Sequence, residues 1–203
     1  MGASFDLEQA VGASPTFDVV GVDEVGRGPL AGPVVAAAVH IPLNLWEAAE
    51  VQQFEDSKRL SPTKRETLAD WIRAHCPWGL AEVSAQEIDE LNILQASLQA
   101  MARALAQVPA DLALIDGNKV PPVSTRCQTV VKGDAKSRSI AAASILAKAH
   151  RDHLMARLHQ EFPAYGWAQN AGYPTAQHRA ALQALGPTCY HRVTFRGIKN
   201  VTS

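Results

Sequence analysis

The stretch Val19-Val20-Gly21-Val22-Asp23-Glu24-Val25-Gly26-Arg27-Gly28-Pro29-Leu30-Ala31-Gly32-Pro33 decides how this chain is read. An apolar run delivers two adjacent carboxylates, and a glycine-rich turn with one arginine follows. Val34 to Ile41 is a second apolar run, long enough to be a strand buried on both faces. The pattern predicts strand, loaded turn, strand. Three readings compete for the turn. A dinucleotide-binding loop needs G-x-G-x-x-G followed by a helix. Here Gly32 comes one place late, Pro29 and Pro33 intrude, and the next segment reads as a strand. A plain hairpin connection would use the glycines for unusual φ/ψ and leave the acids solvated. A hydrolytic metal site would use the acids as ligands, and it requires more carboxylates at matching places.

Working outward, Phe17 to Val22 reads as the first strand and Trp46 to Phe54 as a short helix. Ser61-Pro62 reads as an N-cap with proline at the first helical position, opening a helix toward His75. Leu80 to Ser84 is a short strand. Ser84 and Glu87 have capping-box spacing. The stripe Ile88, Leu91, Leu94, Leu98, Met101, Leu105 behind them predicts one amphipathic helix with its apolar face in the core. Leu112 to Ile115 and Gln128 to Val131 are further strands. A long helix is expected from about Ser139 to His159, and a last one opens at Gly172-Tyr173-Pro174-Thr175 and runs to about Leu185. Strands and helices interleaved in this order predict an α/β or α+β chain with a mixed central sheet.

Three acidic sites then share one context. Asp23-Glu24 ends the first strand, Asp116 ends the Leu112–Ile115 strand, and Asp134 lies between a strand and the long helix. Functional groups in open α/β sheets gather beyond strand ends. Neighbouring strand residues face opposite ways, so Glu24 joins Asp23 at one site only if the strand ends or bulges there. Gly26 and Gly28 make that plausible. Clustered carboxylates repel unless cations lie among them, and hard oxygen ligands suit Mg²⁺ or Mn²⁺. Two such ions can activate a water and stabilise a leaving oxygen in phosphodiester hydrolysis.

Composition sets the bounds. The chain has 203 residues, 47% hydrophobic and 19% charged, with a formal net charge of -1. That is the profile of a soluble globular protein. A global basic balance is absent, so any nucleic-acid contact must rely on local Lys and Arg. Cys76, Cys127 and Cys189 lack zinc-like spacing and are odd in number, which suits a reducing cytoplasm. No apolar run is long enough to span a bilayer, and Met1 to Ser14 lacks a signal pattern.

With these residues in view, the stretch Gly21 to Pro33 resembles the signature of type 2 ribonuclease H, the bacterial RNase HII. The similarity continues through Asp56-Ser57-Lys58, Asp116-Gly117-Asn118, Val131-Lys132-Gly133-Asp134, Ala142 to Lys148, Arg151-Asp152, Gly172-Tyr173-Pro174-Thr175 and His191-Arg192. The resemblance implies an α/β, RNase H-like mixed five-stranded central sheet flanked by helices, with a small helical C-terminal part. It implies an endonuclease acting on RNA–DNA hybrids and on ribonucleotide-containing duplex DNA, cutting 5′ of the ribonucleotide and leaving 3′-hydroxyl and 5′-phosphate ends. It also implies a role in removing ribonucleotides from DNA. Asp23, Glu24, Asp116 and Asp134 match the family's catalytic metal ligands, expected to hold Mg²⁺ or Mn²⁺, two ions with substrate bound. Gly26-Arg27-Gly28 matches the loop that recognises the RNA–DNA junction. Tyr173 matches the tyrosine that packs on the adjacent deoxyribose. Ala171 departs from the pattern, which has a basic residue before Gly-Tyr.

The residue chemistry agrees. A 2′-hydroxyl both donates and accepts, so backbone groups at glycines that allow close approach can sense it. Lys58 and Lys132 are expected to contact phosphate, while Lys136, Arg138 and Lys148 divide evenly between phosphate contact and plain surface charge. His150 and His153 read as surface residues, His178 and His191 as braces of the C-terminal part, and Asp152 as an ion-pair partner rather than a ligand. Asp56 is expected to position Lys58. Trp46, Trp71, Trp78 and Trp167 are expected in or near the core. Residues 1–16 read as a loose lead-in, 17–160 as the catalytic domain and 161–203 as a C-terminal helical part packed on it. The tail from Ile198 to Ser203 shows no partner-binding motif. A monomer without a membrane or obligate protein partner is expected. A different nuclease on the same fold and a non-catalytic hybrid-binding module are the rival readings.

Overall fold

The computed structural model describes residues 2–198, so the tail read above as lacking a partner motif lies, beyond Ile198, outside the described residues. One five-stranded sheet organises them, in the order β3-β2-β1-β4-β5. Its strands are β1 (Val19–Val25), β2 (Val34–His40), β3 (Trp78–Val83), β4 (Leu112–Asp116) and β5 (Arg126–Val130). β1 pairs antiparallel with β2 and parallel with β4, and β5 continues the parallel side. The expected mixed five-stranded sheet is therefore present.

The helices are α1 (Asp6–Ala10), α2 (Pro62–His75), α3 (Ala85–Leu91), α4 (Ile93–Leu105), α5 (Arg138–Glu161), α6 (Trp167–Asn170) and α7 (Ala176–Leu185). Strand alternation divides the core into two layers. Val20, Val22, Val34, Ala36 and Ala38 pack against Ile88 and the Ala96, Ala100, Met101, Ala104 face of α4. Val35, Ala37 and Val39 pack on the other side against α2 and the small residues of α5. Each fully buried Val, Leu or Ile in such layers contributes roughly 1.5–3 kcal/mol. α5 lies very close to the sheet. A Cβ on Gly21 would stand 2.0 Å from the Ser139 carbonyl carbon. A third cluster joins Leu30 and Ala31 to Met155, Trp167 and Leu182, and so ties the turn after β1 to α5 and the C-terminal helices.

The cap chemistry agrees with the sequence. The Ser61 hydroxyl accepts from Lys64 N–H with Pro62 in the first turn, and the Ser84–Glu87 capping box is formed in both directions. Four expectations are corrected. The stripe from Ile88 to Leu105 is two helices, because Asn92 adopts φ 70° and its side chain caps α4 through the N–H groups of Leu94 and Gln95. With ψ 160° this is a strained positive-φ conformation outside the left-handed helical well, held by the side-chain cap, so the apolar stripe continues while the backbone breaks. The helix expected over 46–54 is instead a pair of short 3₁₀ turns, Leu43–Leu45 and Val51–Gln53. Trp78 is 39% exposed at the start of the edge strand β3.

The fourth correction concerns the lead-in. Ala3 and Glu8 are buried, Phe5 stacks on Trp46 at 3.9 Å, and Leu7, Val11, Ala13 and Phe17 cover the cluster around Leu112 and Ile140. Ser4 bridges to Ser137, and one Glu8 oxygen accepts from Ser137 Oγ at 2.6 Å and Ser139 N–H at 2.9 Å. The carboxylate therefore lies at the positive end of α5.

Candidate active site

The three parallel strands β1, β4 and β5 end on one edge of the sheet. Pairing of β1 with β4 stops at Val22↔Ile115. Asp23 and Glu24 therefore lie on β1 beyond the last rung, and Asp116 is the next residue of β4. After β5, Lys132 takes a left-handed φ of 57° and a short turn, Gly133–Ala135, presents Asp134 before α5. Gly133 N–H donates to Asp116 Oδ1 at 2.6 Å, which locks the Asp134 turn to the Asp116 carboxylate.

Of the two alternatives, a strand that ends or one that bulges, there is no bulge. β1 keeps regular register with β2 through Glu24↔Ala36 and Val25↔Val35. Alternation consequently sends Asp23 toward α5, near Ser144, and Glu24 toward the α4 side. There Glu24, Arg27, Asp116 and Asn118 line a cleft of about 310 Å³ with Leu94, Ser97, Leu98 and Met101. The two acids share one site because the sheet opens on its β4 side at that point.

The electrostatics link all four acids. Burial, then the charges of Glu24, Asp116 and Asp134, push the Asp23 carboxyl well above the usual carboxylate range, while the nearby Ser144 hydroxyl opposes the shift. Burial raises Glu24 to about 6, with Arg27 opposing and Asp116 adding to the rise. Burial, Asp56 and Asp116 raise Asp134, with Lys58 opposing. Asp116 is the neighbour common to the other three. Among the described residues no three His, Cys, Asp or Glu side chains are gathered closely enough to hold a metal ion by themselves. The donor set still fits a hard divalent cation. It is all oxygen, it is partly desolvated, and its charges repel. Mg²⁺ commonly uses one or two carboxylates and completes its shell with waters and substrate phosphates.

The turn after β1 is held from behind by two buried arginines. Arg192 donates to the carbonyls of Gly26, Arg27 and Gly32 at 2.6–3.0 Å. Arg151 donates to those of Ala31, Pro33 and Ala171 at 2.9–3.0 Å. Burial lowers both guanidinium groups, Arg151 to about 10 and Arg192 to about 9. The ring of carbonyl acceptors is what keeps such buried charge tolerable. Arg151 and Arg192 lie in motifs quoted above, yet their clamping role was missed. Their partners are carbonyls more than a hundred residues away for all but Ala171, and no spacing rule reports that.

The remaining candidates fall into place individually. The Arg27 side chain is half exposed and bonds Glu24 at 3.3 Å. Tyr173 is 46% exposed, and its ring lies over Gly28, where a Cβ would be 3.2 Å from Cε1. Ala171 takes φ 48° in the turn before it, a left-handed position. Lys58 is exposed near Asp134, its N–H donating to Asp56 Oδ1, and Lys132 is exposed. Lys136, Arg138 and Lys148 are engaged within the protein, with the Val131 carbonyl, the Val51 and Phe54 carbonyls, and Asp152 respectively. Asp152 also pairs with Arg65, as an ion-pair partner should. His150 and His153 pair with Glu82 and Glu66 at the surface. Ser57 Oγ and Ser144 Oγ lie 2.9 Å apart, which connects the Asp56–Lys58 loop to the α5 residue beside Asp23.

A mixed five-stranded sheet with acids at the ends of its parallel strands defines an RNase H-like, metal-dependent hydrolase. The family profile described as Ribonuclease HII matches residues 20–197. The chain belongs to the ribonuclease HII family. It is 53% identical over 197 residues to the ribonuclease HII of Rhodospirillum rubrum, covering 95% of this chain and 88% of the relative. Among solved structures it is similar to the ribonuclease H2 from Pyrococcus horikoshii OT3, with a TM-score of 0.77 and 25% identity over 91% of this chain and 97% of that one. Bst-RNase HIII in complex with Mn²⁺ shares the fold at TM-score 0.71 and 18% identity, over 92% of this chain and 70% of that one. The family cleaves RNA in RNA–DNA hybrids.

Proposed function

We propose that this chain cuts on the 5′ side of ribonucleotides embedded in duplex DNA as well as within RNA–DNA hybrids, and so serves to remove ribonucleotides from DNA in the cytoplasm. The observation that carries the reading is the adjacency of two devices. Asp23, Glu24 and Asp134 gather about Asp116, and the Gly26–Gly28 turn with Tyr173 against it lies beside them.

Asp23, Glu24, Asp116 and Asp134 would hold Mg²⁺ or Mn²⁺, two ions with substrate bound, which when present supply an acidified water and charge stabilisation at the leaving oxygen. A manganese complex of the HIII protein is in keeping with that choice of ion. The protein's own part is positioning. Arg192 engages the Gly26 and Arg27 carbonyls, whereas the Arg27 and Gly28 N–H groups bond no acceptor among the described residues. Those N–H groups are free to donate to a 2′-hydroxyl oxygen. Gly28 admits the sugar closely, and Tyr173 packs on the next one, where an additional hydroxyl would collide. Arg27 bonds Glu24 and so holds the carboxylate rather than reaching for substrate. Lys58 and Lys132 contact phosphate as exposed cations on the loops flanking Asp134. The enzyme acts as a monomer without an obligate protein partner.

The test is a substrate panel for the purified protein: a long hybrid, a duplex with one ribonucleotide, and an all-DNA duplex. Cleavage of the first two in Mg²⁺ or Mn²⁺, and of none with chelator, is expected. Cutting of the all-DNA control would instead favour a general nuclease on this fold. Binding of the single-ribonucleotide duplex without turnover would favour a non-catalytic module.

A further inference from the structure

The C-terminal part contains a hydrogen-bonded pair of buried histidines that the reaction does not use. His178 is 0% and His191 2% exposed, and their Nε2 atoms lie 3.0 Å apart. The fixed partners assign every proton. Thr188 N–H can only donate, and it lies 2.9 Å from His191 Nδ1. His191 therefore accepts at Nδ1 and carries its proton on Nε2. Trp167 Nε1–H can only donate, and it lies 3.2 Å from His178 Nε2. His178 Nε2 therefore accepts, its one lone pair shared between the Trp167 and His191 N–H groups. Its own proton is on Nδ1, which lies 2.9 Å from the Tyr173 carbonyl, an obligate acceptor. One arrangement agrees with every fixed donor and acceptor: two neutral rings of opposite tautomer, ending on the backbone of Tyr173.

That backbone is secured at each neighbouring group. Arg151 holds the Ala171 carbonyl, the Asn170 side chain accepts from Gly172 N–H, and the Gly172 carbonyl accepts from Leu30 N–H. Tyr173 N–H donates to the Asn170 carbonyl at 2.8 Å. Successive left-handed residues, Ala171 at φ 48° and Gly172 at φ 84°, aim the chain so that the Tyr173 ring meets Gly28. Such a turn persists only where its surroundings over-determine it. Its last carbonyl, that of Tyr173, accepts from Thr175 N–H at 2.8 Å on the chain side and from the histidine pair on the interior side.

We propose that His178 and His191 are positioning residues for Tyr173, holding its ring against Gly28 so that the site distinguishes deoxyribose from ribose beyond the cut. The proposal rests on the reading of Tyr173 as the residue that packs on that sugar.

The test separates the two ends of His178. An asparagine amide reproduces the Nδ1 donor, and a glutamine amide reproduces the Nε2 end. The readout is the ratio of kcat/KM on a single-ribonucleotide duplex to that on a long hybrid, measured below the melting temperature of every variant. Tyr173→Ala sets the reference for a lost sugar contact. His178→Gln is expected to lower the ratio about tenfold, toward the Tyr173→Ala value, as one positioned hydrogen bond is lost. His178→Asn is expected to stay near the wild-type ratio even if it melts lower. A changed ratio in Tyr173→Ala with an unchanged one in His178→Gln would overturn the positioning role alone. An unchanged ratio in Tyr173→Ala would overturn the reading of that tyrosine and the inference with it. Nitrogen-15 NMR of the histidine-labelled wild type gives a second readout that needs no variant. It should show the His178 proton on Nδ1 and the His191 proton on Nε2, and identical tautomers would reject the relay.

Discussion

Arg192 Nη2 donates to the Gly26 carbonyl at 2.6 Å, closing the turn beside the acids from 166 residues away. The same guanidinium spans the carbonyls of Arg27 and Gly32. Arg192→Met would leave those acceptors unpaired in a buried place. The expected loss of stability is about 1–3 kcal/mol for each acceptor left unpaired, read from urea unfolding. Arg192→Lys should recover little of it, because one ammonium cannot span three carbonyls as the planar fork does.

Gly21 and Gly117 make an opposed pair. A Cβ on Gly21 would stand 2.0 Å from backbone of α5, which can yield only by moving the helix. Gly117 has open space but φ +96°. Gly21→Ala should therefore destabilise the protein by more than about 3 kcal/mol, or prevent folding. Gly117→Ala should cost about 1 kcal/mol of backbone strain. Melting temperatures of the two variants check the order.

The sheet and its acids were legible because their signals are local. Apolar runs, a capping box and acids at run ends all lie within a few residues of one another. What stayed hidden depends on distance along the chain. Glu8 meets Ser139 across 131 residues, so the first residues read as loose. Arg151 and Arg192 read as members of motifs and not as clamps. Asn92 broke a helix without breaking its apolar stripe. Whether the strand ends or bulges at Glu24 was not legible, and the register settles it: β1 runs on regularly beside β2 while its pairing with β4 ends early.

The N-terminal segment gives its own prediction. Glu8 accepts from Ser137 Oγ and Ser139 N–H at the start of α5. Glu8→Ala should lower stability by about 1–3 kcal/mol, with the loss read from chemical denaturation. Wild-type stability in that variant would restore the picture of a loose lead-in.

Acid should weaken the C-terminal part first. Burial, then the neighbouring His178, lowers His191 from 6.5 to about 4, with the backbone hydrogen bond at Thr188 opposing the shift. His178 is lowered as well, mainly by burial. Tyr165 and the adjacent Arg192 offer no negative charge to favour protonation. The unfolded chain therefore takes up protons before the folded one does. The stabilisation is complete above about pH 6.5 and is lost as pH falls toward 4, by up to about 3 kcal/mol for His191. Unfolding free energies measured across that window should fall with pH, and His191→Gln should flatten the slope.

The central claim is that Asp116 joins the other acids into one hydrolytic site serving the ribose-sensing turn. The most direct measurement is cleavage of a duplex carrying one ribonucleotide, with the cut position mapped, by wild type and by Asp116→Asn of verified fold. The account predicts a single wild-type cut 5′ of the ribonucleotide with a 3′-hydroxyl end, and a loss of at least about a thousandfold in the variant. Turnover by Asp116→Asn at the wild-type rate, or a wild-type cut placed elsewhere on the duplex, would contradict it.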